Sequence, residues 1–83
     1  MEFFKDRVMC PRCEGAGNVY EVEIVELNKR FLICDETDCS WEAEDDVRAD
    51  NWMYIFERLE KRYGVTYESV KFQNINYDWW KRR

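Results

Sequence analysis

Met9-Cys10-Pro11-Arg12-Cys13-Glu14-Gly15-Ala16-Gly17 and Ile33-Cys34-Asp35-Glu36-Thr37-Asp38-Cys39-Ser40-Trp41 decide how this chain reads. They place four cysteines as C-x2-C, then twenty residues, then C-x4-C. Two close pairs about fifteen to twenty residues apart form the spacing of a four-cysteine zinc site. Each short turn aims two thiolates at one centre, and a hairpin between the pairs brings the turns side by side. With Cys10, Cys13, Cys34 and Cys39 all as ligands, no coordination position is left for water or substrate, so the expected Zn²⁺ is a single structural ion. The glycines of the first turn are expected to supply the φ > 0 conformations that a tight metal knuckle needs.

Length makes some staple necessary. The chain has 83 residues, which is one domain, and a chain this short buries only roughly 60% of its unfolded surface. Metal binding can add roughly 10–16 kcal/mol to folding. Disulfides are the competing staple. The start, Met-Glu-Phe-Phe-Lys-Asp-Arg, has neither the apolar core nor the cleavage site of a signal peptide. The expected compartment is therefore the cytoplasm, where disulfides rarely persist. No stretch approaches the eighteen apolar residues of a membrane span. A redox C-x-x-C at Cys10 and Cys13 would want a βαβ context and would leave the second pair idle. Zinc leads, with disulfides and free thiols as the alternatives.

Outward from the cysteines, Phe3, Phe4, Val8 and Met9 can form a short strand beside the metal. Val19-Tyr20-Glu21-Val22-Glu23-Ile24 alternates, with Tyr20, Val22 and Ile24 on one face, as in a half-buried strand. Leu27–Arg30 reads as a turn, Phe31–Cys34 as the returning strand, and Ser40–Ala43 as a third. From Asp50 the period changes: Trp52, Ile55, Phe56, Leu59 and Tyr63 share one face of a helix over 50–63. Asp50 or Asn51 is its expected cap, Glu57 and Lys61 an i,i+4 pair, and Gly64 its stop. The aromatic stripe is expected to pack on the hairpin. In the extension 65–83, Thr66–Ser69 suggests a turn of helix and Ile75, Tyr77 and Trp79 a late strand.

Knuckle, hairpin, knuckle and strand over residues 8–43 resemble a zinc ribbon. That resemblance implies an α+β fold in which a small antiparallel hairpin or three-stranded sheet is covered by one amphipathic helix. Cys10-Pro11-Arg12-Cys13-Glu14-Gly15-Ala16-Gly17 also matches the CxxCxGxG unit of DnaJ-type chaperones. That family uses four such units and this chain has one, so only the local turn chemistry carries over.

Function is bounded by charge. The net charge is -5, with no histidine. Four thiolates and one Zn²⁺ add -2, for -7. Residues 14–50 carry three basic against twelve acidic groups, -9, whereas residues 1–13 come to +1 and residues 51–83 to +3. Without histidine there is no Ser–His–Asp or Cys–His catalysis. With no open metal position and no phosphate-cradling loop either, the chain is expected not to be an enzyme.

The acidic run reads either as a solvated, salt-screened face or as a surface for a basic protein partner, bound through Asp35, Glu36, Asp38, Glu42, Glu44, Asp45 and Asp46; Trp41 within it reads first as core and second as an aromatic anchor for that partner. The motif running from Cys10-Pro11-Arg12-Cys13 to Cys39-Ser40-Trp41 resembles small acidic zinc-ribbon proteins of bacterial toxin–immunity systems. This implies an immunity protein that occludes a basic nuclease. Two alternatives stand beside it. One is a nucleic-acid-binding or transcription-associated ribbon using Trp79-Trp80-Lys81-Arg82-Arg83, since aromatics beside cations can stack bases; the other is a structural subunit of a larger assembly.

Overall fold

Asn18–Ile24 is the strand around which everything else is arranged. The computed structural model describes residues 3–13 and 16–82. Its antiparallel sheet runs β1 (Phe3–Phe4), β2 (Arg7–Met9), β3 (Asn18–Ile24), β4 (Lys29–Cys34), β5 (Cys39–Glu42) and β6 (Met53–Tyr54), with β7 (Phe72–Asn76) also paired to β3. A single helix, α1 (Ile55–Tyr63), completes the small α+β fold among the described residues.

Strand alternation sends successive residues of β3 to opposite faces. Val22 and Ile24 join Phe31, Ile33 and Val70 beneath Ile55 and Leu59 of α1. Burying such an aliphatic side chain fully contributes roughly 1.5–3 kcal/mol. Val19 points the other way, into a second cluster with Val8, Leu32, Trp41, Val47 and Trp79. The sheet therefore has two covered faces where the β3 pattern suggests one. The second face is covered by side chains from far along the chain, which the local alternation does not register.

The β3–β4 hairpin pairs Val19 with Cys34 and Val22 with Phe31, and β4 pairs Leu32 with Trp41 of β5. The expected third strand is thus present, but the sheet extends beyond the three strands expected. Lys5 and Asp6 both adopt left-handed backbone, φ 52° and 64°, closing a two-residue turn between β1 and β2.

The helix starts five residues later than its apolar period suggests. Asn51 does not cap it: its side-chain oxygen accepts from Trp41 Nε1 at 2.7 Å and its amide donates to Asp46 O at 2.8 Å. Ser40 pairs with Met53 in the sheet, and α1 begins where Ile55 N donates to Asp38 O at 2.9 Å. Gly64 ends it with φ 67°, the left-handed stop that glycine favours. The Glu57–Lys61 pair forms at 3.3 Å. The late strand also moves. It ends at Asn76, Asn76 Oδ1 accepts from Asp78 N at 2.8 Å in the turn that follows, and Trp79–Arg82 form a 3-10 turn.

Beneath α1, Arg58 is only 1% exposed. It donates to Ser40 Oγ, Ser40 O and Glu42 Oε2, each at 2.8 Å. Tyr63 OH completes the network on Glu42 Oε1 at 2.6 Å.

Candidate metal centre

The two cysteine turns meet at one end of the sheet because β3 and β4 pair in register up to Val19–Cys34. Around the first turn, Cys10 N donates to Gly17 O at 2.9 Å, and Ala16 N to Cys13 O at 3.1 Å. Around the second, Asp38 N donates to Cys34 O at 3.2 Å and Glu36 N to Cys34 Sγ at 3.5 Å. Asp38 takes φ 61° here, a conformation in which Asp is among the least disfavoured residues.

The sulfurs of Cys10, Cys13 and Cys34 lie within 4.8 Å of one another and could hold a metal ion. Cys13 Sγ is 3.6 Å from Cys34 Sγ, and all four cysteines are free thiols. Cys39, the expected fourth ligand, is buried in the adjoining core but is not one of the three sulfurs that converge; it is linked to them through a residue that the cysteine spacing does not reveal. Thr37 Oγ1 donates to Cys39 Sγ at 3.2 Å and lies 3.0 Å from Cys13 Sγ. Thr37, inside the x4 spacer, has no residue-type signal marking it in advance.

The thiols are not equivalent. A hydrogen bond from Cys10 lowers Cys34 to about 5, helped by the backbone N–H groups of Glu36 and Thr37. That same hydrogen bond, with burial, pushes Cys10 up. Burial pushes Cys39 up as well. The cluster thus already contains a sulfur poised to be a thiolate, which is the ligand form of cysteine.

Gly17 departs from the expected role of the knuckle glycines. Its use is room: a Cβ there would stand 2.5 Å from Cys34 Sγ. Gly15 lies outside the described residues.

The proposed partner residues scatter. Trp41 is 0% exposed and Glu42 is buried against Arg58, so neither is on a surface. Asp35 is exposed but already clasped, with Oδ1 accepting from Asn18 N and Oδ2 from Tyr77 OH, both at 2.9 Å. Glu44 pairs with Lys29 at 3.7 Å, and Asp45 Oδ2 accepts from Glu42 N at 3.2 Å. Glu36, Asp38 and Asp46 are exposed, and their carboxylates form no ion pair among the described residues.

Beside the second knuckle stands an aromatic ladder that the helix reading did not isolate. Tyr54, paired with Cys39, stacks on Phe56 at 5.3 Å and meets Trp52 edge-on at 5.0 Å, with the Arg12 guanidinium 5.0 Å over Trp52. At the C-terminus, Trp79 is 2% exposed and donates Nε1 to Val19 O at 2.9 Å, while Arg82 is paired with Glu21. Trp80 packs on Phe3 at 4.9 Å. Arg83 lies outside the described residues. No helix among the described residues is long and apolar enough to cross a membrane.

Comparison with protein-family models, curated proteins and solved structures finds no match for this chain.

Proposed function

We propose that this chain is a non-catalytic binding module for a basic protein, stapled by one structural Zn²⁺. Zinc holds thiolates at about 2.3 Å, so a tetrahedron has edges of about 3.8 Å. The 3.6 Å between Cys13 and Cys34 sulfurs supports that fit. Cys10, Cys13 and Cys34 would hold the ion, with Cys39 as the fourth thiolate.

One observation carries the binding reading. The turn joining two proposed ligands, Cys34 and Cys39, exposes Glu36 and Asp38, and the exposed Phe56 and half-buried Tyr54 stand next to it. Carboxylates beside aromatics suit the lysines and arginines of a basic partner, with electrostatics setting encounter rate and aromatic contact setting lifetime. Tyr54 and Phe56 take the anchoring role assigned above to the buried Trp41. The finer reading is an immunity-type protein that occludes a basic nuclease.

Immobilised basic nuclease tests this. The expected result is retention at moderate salt, weakened at least ten-fold by combining Glu36→Gln with Asp38→Asn. Unchanged affinity in that double variant would remove the proposed face. A second reading, single-stranded nucleic acid on cations stacked over aromatics, draws on Arg7 lying 4.1 Å over Tyr77 and Lys81 5.5 Å over Trp80. Retention on single-stranded RNA, lost on Arg7→Ala with Lys81→Ala, would favour it.

A further inference from the structure

We propose that Thr37 is a working part of the metal centre, a hydroxyl that positions the fourth sulfur, Cys39. The inference rests on the metal reading above and deepens it. Thr37 Oγ1 lies 3.0 Å from Cys13 Sγ and 3.2 Å from Cys39 Sγ. A hydroxyl has one hydrogen to give. Both contacts therefore cannot be donations from Thr37. With the Thr37 O–H given to Cys39 Sγ, Thr37 Oγ1 can only accept at its contact with Cys13 Sγ.

Cys13 and Cys39 would hold a divalent ion as thiolates, having given their protons to solvent, and Thr37 would then have a single hydrogen to offer two sulfurs. The one remaining hydrogen, that of Thr37, stays on Cys39, and a hydrogen bond to a charged acceptor is stronger than one to a neutral acceptor. Thr37 thus holds Cys39 at the edge of the cluster formed by Cys10, Cys13 and Cys34 and lets it join as a partnered thiolate. Thr37 sits in the longer of the two spacers, between Cys34 and Cys39.

The test uses the full chain with Co²⁺ as a spectroscopic probe, comparing wild type, Thr37→Val and Thr37→Ser. Loss of an outer-shell partner typically costs about 10–100-fold in metal affinity. Thr37→Val is expected to bind Co²⁺ weaker by that factor, and to shift the thiolate-to-cobalt charge-transfer band at saturation. Thr37→Ser is expected to restore both. General destabilisation would not move the band of a saturated, folded protein. Should Thr37→Val fail to fold with saturating Co²⁺, Thr37→Ala removes the same hydroxyl without adding a methyl group and is judged by the same two readouts. A valine or alanine variant equal to wild type in affinity and band would overturn the role of Thr37 alone. A wild type with no thiolate-to-cobalt band would overturn the metal reading as well, so the two failures are distinguishable.

Discussion

Gly17 lies against the sulfur of Cys34 so closely that a Cβ at position 17 would stand 2.5 Å from Sγ and 3.1 Å from Glu36 Cβ. The first knuckle thus depends on the absence of a side chain for its fit to the second. Overpacking of this kind costs about 1–3 kcal/mol. Gly17→Ala is expected to weaken Zn²⁺ binding at least ten-fold in chelator competition, because the displaced sulfur is a proposed ligand. An alanine variant with wild-type affinity would show that the knuckles tolerate the shift.

Removing the metal is the broader test. A chain of 83 residues has a small core, and the proposed Zn²⁺ would couple roughly 10–16 kcal/mol of metal binding to its folding. A strong chelator is expected to abolish the cooperative thermal transition, and one equivalent of Zn²⁺ to restore it. Elemental analysis of the purified protein should find about one zinc per chain. A chelated protein that melts at the same temperature would contradict the proposed staple.

Arg58 and Glu42 form a buried ion pair at 2.8 Å, with side chains 2% and 10% exposed. Breaking such a pair from one side costs about 3–5 kcal/mol, since the other charge is left buried. Arg58→Met is expected to destabilise by that amount in urea unfolding; joint replacement of Arg58 and Glu42 by apolar residues should recover much of it.

The same pair sets an acid limit. Burial opposes the charge on Glu42, but the hydrogen bonds from Tyr63 and Arg58 outweigh it and hold the carboxyl below its ordinary 4.5. A carboxyl lowered on folding stabilises above its unfolded pKa, and that contribution is lost as pH falls through the folded value. Stability should therefore fall on acidification below about 4.5. The Glu42→Gln variant should show a shallower loss there, measured by urea unfolding across pH.

Trp79 closes the second face of the sheet, fully packed and bonded to Val19 O. Trp79→Ala is expected to cost about 3–5 kcal/mol, and Trp79→Phe less, chiefly the indole hydrogen bond at about 1 kcal/mol. Trp80→Ala, at a more exposed site, should cost clearly less than Trp79→Ala. Equal losses would mean that the C-terminal turn is not core.

Some of this architecture was open to inspection in the sequence. The alternation of Val19–Ile24, the period of Ile55–Leu59–Tyr63 and the stop at Gly64 are local signals, because each depends on residues a few positions apart. They place a hairpin, two cysteine turns and the end of a helix correctly, while the helix's start moves to Ile55 and Phe56 of its stripe is exposed. The cysteine spacing likewise marks Cys10, Cys13 and Cys34, three of the four expected ligands, as residues that could hold a metal, because a turn's reach is set by its length.

Burial and pairing needed the tertiary structure. Glu42 reads as one acid in an acidic run until Arg58, sixteen residues away, lies over it. Asn51 reads as a helix cap until Trp41 takes its side chain. Trp79 reads as a tryptophan of a late strand beside a basic terminus, and only the fold supplies its partner, Val19, sixty residues back. In each case a partner distant in sequence decides whether a polar group faces water or the core, and no local period encodes that. The chain's own sequence therefore determined its central hairpin, its helix's stop and its cysteine turns, while only the packed fold decided the remaining strands, which charges remain exposed and that Thr37 sits between two sulfurs.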